Sequence, residues 1–272
     1  MINESDIILK YVMLSLIPGL GPITQNRLLN LFGDIERSFI IEENVLQDLD
    51  KLQPSNRIGK QKISVFVQYR NNPMIAEKAE ETIQRCNELG ISIITRKSAK
   101  FPHRFIVAEE SPIVLYTKGD LSINKYDSSV GIVGARRCTT EGKDKAIEVS
   151  IKGINDGSAI ISGMAKGIDS YAHTTAIKNN GYTIAVLGNG PDICYPEEHY
   201  KLYDEIIKHG CILSEYPPGT IPRKYTFPRR NRLIALLSDE LFVIDAGRNS
   251  GTRSTVSFSK KYGKKVINTP VF

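Results

Sequence analysis

Residues 131–142, GIVGARRCTTEG, run from an apolar segment into a glycine turn and then into a helical pattern. The short, uncharged run VGIVG (130–134) reads as a strand buried on both faces. A strand that enters a helix through a glycine turn brings backbone N–H groups to an anion at the helix N-terminus. Here Arg136 and Arg137 follow the turn directly, so two full positive charges join the backbone donors. One cofactor phosphate or a longer run of phosphates would both suit such a turn, and the rest of the chain has to decide between them.

Working outward, the same pattern repeats. Strand-like segments lie at 130–134, 159–161, 182–187, 211–213, 240–244 and 265–268. Helical stretches fall between them at 140–155, 167–179, 198–209, 229–237 and 252–262. Short apolar strands alternating with amphipathic helices predict a doubly wound, mostly parallel α/β sheet, with ligands at the carboxyl ends of its strands. Upstream, MIAEKAEETIQRCNELG (74–90) has the period of an amphipathic helix, and ISIIT (91–95) and SPIVLYTKG (111–119) read as further strands. Residues 1–70 look helical: IILKYVMLSLI stops at PGLGP (18–22), and ITQNRLLNLFG resumes the period. That pair reads as a helical hairpin in a small bundle and loosely resembles a helix-hairpin-helix. KLQPSNRIGKQK (51–62) reads as a polar connector. The expected organisation is a helical domain over 1–70 and an α/β domain over 71–272.

Composition narrows the function. The chain has 272 residues, 41% hydrophobic and 24% charged, in the ordinary range for a soluble globular protein. No apolar run approaches the ~18–20 residues that span a bilayer, and the start, MINESDIILKYVML, is acidic and lacks a cleavage site. Cys86, Cys138, Cys194 and Cys211 are scattered without a C-x-x-C pair, which argues against a zinc site or disulfide framework and fits a reducing cytoplasm. Net charge is +6 but uneven: from Tyr216 onward eleven Lys or Arg face three acids, a net +8, so the remainder sums to −2. A local basic excess suggests a polyanionic partner.

Glycine-rich strand ends hold the candidate residues. The dinucleotide fingerprint G-x-G-x-x-G fails at Gly131–Gly134, which has the wrong spacing, and Arg136 stands where a small turn residue is needed. No G-x-x-x-x-G-K-[ST] phosphate loop and no G-x-S-x-G nucleophile elbow occur. The most unusual stretch is IPRKYTFPRRNR (221–232), with Arg223, Lys224, Arg229, Arg230 and Arg232 around Tyr225 and Phe227 and no acid. Cations contact phosphates and an aromatic face stacks on an unpaired base. Asp169 and His173, four apart on an expected helix, form a possible metal or acid–base pair, or simply a helix-face hydrogen bond.

The segments VGARRCTTEG (133–142), SGMAKGIDSYAH (162–173), TIAVLGNGPDICYP (183–196), SEYPPGTIP (214–222), FPRRNRLIALLSD (227–239) and DAGRNSGT (245–252) together resemble, in order and spacing, the DNA-processing protein A family (DprA/Smf). The similarity runs from about residue 75 to 270, and more loosely from residue 1. It implies an extended Rossmann-type domain preceded by a small helical domain similar to a sterile alpha motif, without the winged-helix domain that often follows in members. It also implies single-stranded DNA binding, a homodimer, and loading of the recombinase RecA on DNA taken up in transformation, with no catalytic group, cofactor, metal or membrane. Gly134, Ala135 and Arg136 then become a first phosphate contact, and Ser162, Gly163, Lys166 and Gly167 a second anion-binding turn. Lys224, Phe227, Arg230, Asn231 and Arg232 fall in the family's basic and stacking segment.

Two departures concern Glu141, where members usually have tyrosine, and SGTRSTVS (250–257), where they often read S-G-S-L-I-T-A-R. The last helix, TRSTVSFSKKYG (252–263), offers a narrow apolar stripe through Val256 and Phe258 for the expected dimer. A competing reading is a nucleotide-binding or phosphoribohydrolase-like enzyme on a similar domain. Such enzymes use G-G-x-G-T followed shortly by an acid, and here Arg253, Ser254 and Thr255 follow Gly251-Thr252.

Overall fold

The computed structural model describes residues 4–247 and 251–269. Its contacts divide the chain into two units. The first runs to Leu89 and takes in Ile93–Phe101 and Ile106–Val114; the second holds Gly90–Ser92, Pro102–Phe105 and the chain from Leu115.

The first unit is built on helices α1 (Glu4–Leu16), α2 (Pro22–Phe32), α3 (Ile35–Ile40), α4 (Glu43–Lys51), α5 (Lys60–Arg70) and α6 (Pro73–Glu88). Each turns apolar residues inward: Val12 and Leu14, Leu28 and Phe32, Ile35 and Phe39, Leu46, Ile63 and Phe66, Ala79 and Cys86 are buried. Phe39 meets Phe66 edge-on with ring centroids 5.9 Å apart, a favoured aromatic geometry. The PGLGP turn is held inside this unit, because Gln25 Nε2 donates to Leu20 O at 2.8 Å. The polar stretch 51–62 is more structured than a connector: Asp50, buried at the end of α4, accepts from Ile58 N–H at 2.6 Å and Gly59 N–H at 3.1 Å and so sets the start of α5. The compact division also falls later than residue 70, since α6 packs against α1.

Next come β1 (Ser92–Thr95), the short helix α7 (His103–Ile106) and β2 (Val114–Gly119). The main series follows: β3 (Ser129–Gly134), α8 (Thr140–Asn155), β4 (Ala159–Ser162), α9 (Ile168–Lys178), β5 (Thr183–Leu187), α10 (Tyr200–His209), β6 (Gly210–Ser214), α11 (Thr226–Leu237), β7 (Glu240–Ile244), α12 (Thr252–Lys261) and β8 (Lys265–Thr269). In the second unit the strand order is β2-β6-β5-β4-β3-β7-β8. All pairs from β6 to β8 are parallel and β2 pairs antiparallel with β6. The sheet is therefore the mostly parallel, doubly wound kind that the alternation predicts.

Alternate residues of β3 serve opposite faces. Val130 and Ile132 pack with Ala146 and Val149 of α8 and Ala172 and Ala176 of α9. On the other side, Gly131 leaves room for Ser238 and Leu241, which a Cβ at that position would strike. Ile206 and Tyr203 of α10 pack on Ala185, Leu187 and Ile212. α11 is buried along nearly its whole length, from Arg230 to Leu237. The chain winds from β3 outward to β6, then returns to the far side of β3 as β7. That reversal is the topological switch point, where the loops after neighbouring strands diverge and leave a crevice.

Candidate functional site

A cavity of about 650 Å³ lies at that crevice. Five strand-end segments line it: Gly134–Arg136 after β3, Ala165 and Asp169 after β4, Tyr195 after β5, Lys224 to Asn231 after β6, and Gly247, Gly251 and Thr252 after β7.

The first turn is drawn tight against its neighbours. A Cβ on Gly134 would lie 2.1 Å from Ile244 O, and one on Gly167, at φ +75°, would lie 2.3 Å from Ala135 O. Both positions therefore require glycine. Ala135 N–H donates to Ile244 O at 3.3 Å. At the start of α8, Gly142 N–H donates to Thr139 Oγ1 at 3.0 Å and Thr139 N–H to Asp245 Oδ2 at 2.6 Å. Of the backbone donors in this stretch, those of Ala135, Thr139 and Gly142 are thus engaged within the fold. What this turn presents outward is charge, since Arg136 and Arg137 are exposed.

The second turn already holds an anion of its own. Gly163 N–H and Ala165 N–H donate to Asp169 Oδ2 at 3.2 and 3.3 Å. Ser162 is buried and its hydroxyl donates to Ile132 O at 2.6 Å. Lys166 is exposed and pairs with Glu198 at 2.7 Å. Of this turn, Ala165 and Asp169 reach the cavity, whereas Ser162, Gly163, Lys166 and Gly167 are not among its lining residues.

The basic segment divides by burial. Lys224 and Arg229 are exposed, whereas Arg230 and Arg232 are each 6% exposed. Arg230 directs Nη1 to the carbonyls of Gly163 and Val186 and Nε to Asn231 Oδ1, so it ties α11 to the ends of β4 and β5. Burial pushes its guanidinium down to about 10; Asp169 opposes that shift and Arg136 adds to it. Burial likewise raises the Asp169 carboxyl, opposed by the charge of Arg230, the two backbone N–H bonds and Arg136. Arg232 turns away from the cavity into a two-bond pair with Glu215, at 2.6 and 2.5 Å. Asn231 lines the cavity and bridges to α12 through Ser254 Oγ at 2.8 Å. Phe227, half-buried in the first turn of α11, meets Tyr195 with centroids 5.5 Å apart and an interplanar angle of 34°.

Asp169 and His173 do not work as a pair, because each is bonded elsewhere. His173 is fully buried and its Nδ1 lies 2.8 Å from Thr183 Oγ1. Thr183 gives its single hydroxyl proton to Ile160 O at 2.9 Å. Nδ1 must therefore be the protonated nitrogen, and among the described residues Nε2 is left as an unpartnered acceptor. Burial holds the ring neutral and lowers its pKa from 6.5 to about 3, with His199 and Arg230 adding to the shift. The unfolded chain takes up a proton here at the ordinary value, so stability is complete above pH 6.5 and falls as pH drops toward 3. The expected loss from this group is about 2 kcal/mol by pH 5. Urea unfolding at pH 7.5 and 5 should show a steeper acid loss in the unaltered chain than in His173→Gln. Equal losses would mean that the folded protein protonates this ring.

Residues 92–272 match the family model described as DNA recombination-mediator protein A. The chain belongs to that family. Protein Smf of Synechocystis sp. is 32% identical over 259 residues, which cover 94% of this chain and 63% of that protein. The X-ray structure of DNA processing protein A from Streptococcus pneumoniae superposes with a TM-score of 0.76 at 30% identity, covering 97% of this chain and 87% of the other. DNA processing protein A from Helicobacter pylori, whose structure was reported for its single-stranded DNA binding mode, gives a TM-score of 0.62 at 31% identity over 67% of this chain and 81% of that one. The chain spans under two-thirds of the length of the curated relatives it matches first.

In this member of the family, the structure gathers Gly134, Ala135, Arg136, Lys224, Phe227, Arg230 and Asn231 around one cavity. Sequence reasoning did not single out Tyr195, Thr252 or Thr255, which also line it. The signal for Tyr195 was weak, an aromatic closing the strand-end segment GNGPDICYP (188–196). The segment DAGRNSGT falls partly on residues 248–250, outside the described residues. Among the described residues no group of His, Cys, Asp and Glu is placed to hold a metal ion, and no helix is long and apolar enough to cross a membrane.

Proposed function

We propose that the cavity and its rim bind single-stranded DNA, and that the chain acts as a recombination mediator that protects incoming DNA and delivers it to RecA. The observation that carries this is one crevice holding exposed Arg136 and Lys224 together with Phe227 and Tyr195. The cations serve the backbone of a strand, and the aromatic faces serve unpaired bases without regard to sequence. The reading assigns no catalytic group and no cofactor. It places the protein in the cytoplasm and its dimer contact on α12, where Val256 and Phe258 are half-buried. The single-strand binding described for the H. pylori relative supports the same assignment.

Arg136 and Lys224 are exposed at the cavity, so this reading rests phosphate binding chiefly on side-chain cations. Affinity should therefore fall linearly on a log–log plot against salt, with a slope of about −2 or steeper, at about 0.7 per phosphate neutralised. Arg136→Ala should make that slope shallower by about 0.7 and leave stability within about 0.5 kcal/mol, as expected for an exposed loop charge. A mobility-shift titration at several salt concentrations reads both, and salt-independent binding would remove this reading.

A further inference from the structure

The inner wall of the cavity carries a charged pair for which a phosphate-binding site has no use. Asp169 and Arg230 both line the cavity and each is 6% exposed. The two backbone donors to Asp169 both end on Oδ2. Among the described residues Oδ1 receives no donor. Arg230 engages Nε and Nη1, while Nη2 meets no acceptor among the described residues. A Cβ on Gly163 would lie 2.7 Å from Arg230 Nη2 and 2.8 Å from Asp169 Oδ2, so the glycine lets the two groups stand side by side. The wall therefore offers a charged donor next to a charged acceptor, in a place shielded from water.

A phosphate diester has no hydrogen to give a carboxylate and is repelled by its charge. A nucleobase edge has both halves of the match, an acceptor beside an N–H. Building on the single-strand reading above, we propose that this wall is a base-reading subsite favouring a base with a carbonyl next to a ring N–H, thymine or guanine, over cytosine. Arg230 Nη2 donates to the carbonyl and Asp169 Oδ1 accepts from the ring N–H. Cytosine set with its O2 on Arg230 would turn the N3 lone pair toward the carboxylate. Set the other way, it offers an exocyclic amine, a less acidic donor than a ring N–H and so a weaker charge-assisted partner. Phosphates stay at the rim with Arg136 and Lys224, and Phe227 supports the base that enters.

The test compares strands of equal length and charge. Fifteen-nucleotide dT, dC and N3-methyl-dT are titrated against the full chain at pH 8 and one salt concentration. The expected result is dT binding about tenfold tighter than either of the others, the scale of discrimination a good paired base contact supplies. Asp169→Asn keeps an oxygen for the Gly163 and Ala165 amides and turns an NH2 toward the base, so it should weaken dT about tenfold and erase or reverse the preference over dC. Equal affinity for all three strands overturns the base-reading subsite while leaving single-strand binding intact. No binding of any strand overturns the proposed function and this subsite with it. Should Asp169→Asn fail to fold, the N3-methyl-dT comparison on the unaltered chain decides alone.

Discussion

Arg232→Ala should lower folding stability by about 3–5 kcal/mol, the usual cost of stripping one partner from a buried ion pair. Its side chain is 7% exposed and that of Glu215 is 8% exposed, so removal of the guanidinium strands a carboxylate away from water. Burial works against the arginine charge, yet the charge and hydrogen bond of Glu215, with smaller help from Tyr216 and Tyr262, leave the net shift of the guanidinium upward. The pair links α11 to the segment just after β6, which also leads into the cavity-lining loop. Replacing both partners by apolar residues of similar volume, Arg232→Met with Glu215→Leu, should recover most of the loss, because the desolvation cost disappears along with the attraction. Urea denaturation of the three variants measures this directly. If Arg232→Ala instead loses under 1 kcal/mol while DNA affinity falls and the salt slope becomes shallower, Arg232 is a phosphate contact and the structural role is wrong.

The same residue shows where the sequence stops being informative. FPRRNR reads as one block of charge, and charged residues are rarely buried without a partner. Nothing in the block marks Arg229 as exposed and Arg230 and Arg232 as internal. The partners that decide it, Glu215, Gly163 and Val186, come from three other strand ends. Helical periodicity offers no help either, because α11 is covered nearly all round and has no polar face to expose a pattern. Likewise the turns around Gly134 and Gly163 are legible as turns, but not the fact that Asp245 takes the Thr139 N–H and Asp169 those of Gly163 and Ala165. That knowledge requires the fold.

Strands and helices of the second unit were readable because each strand is a short apolar run bounded by glycine or polar turns, a pattern local to the segment. VGIVG and ELFVI became adjacent parallel strands, paired from Val130–Glu240 to Gly134–Ile244. Direction and partnership were not local. SPIVLYTKG looks the same whichever way its neighbour runs, and its antiparallel pairing with β6, Tyr116 opposite Ser214, is set by the rest of the sheet. The amphipathic pattern of α6 shows that one face is covered without saying by what; contact with α1 decides that it joins the helical unit.

Phe227→Ala should weaken single-strand binding by ~1–3 kcal/mol, the range for loss of one base–aromatic stack. Its ring sits against Gly188, where an added Cβ would come within 3.0 Å of Cδ1, and lies 5.5 Å from Tyr195. The ring is therefore seated by backbone on one side and by an exposed aromatic on another, and it still lines the cavity. No charge is removed, so the dependence of affinity on salt should keep its slope while the whole line shifts down. Duplex DNA keeps its bases stacked on one another and should lose little. Gly188→Ala offers an independent route to the same effect, because it displaces the ring without deleting it, and it should weaken single strands in the same direction. If Phe227→Ala instead makes the slope shallower and lowers duplex and single-strand affinity equally, the ring holds Lys224 and its loop in place and does not meet a base.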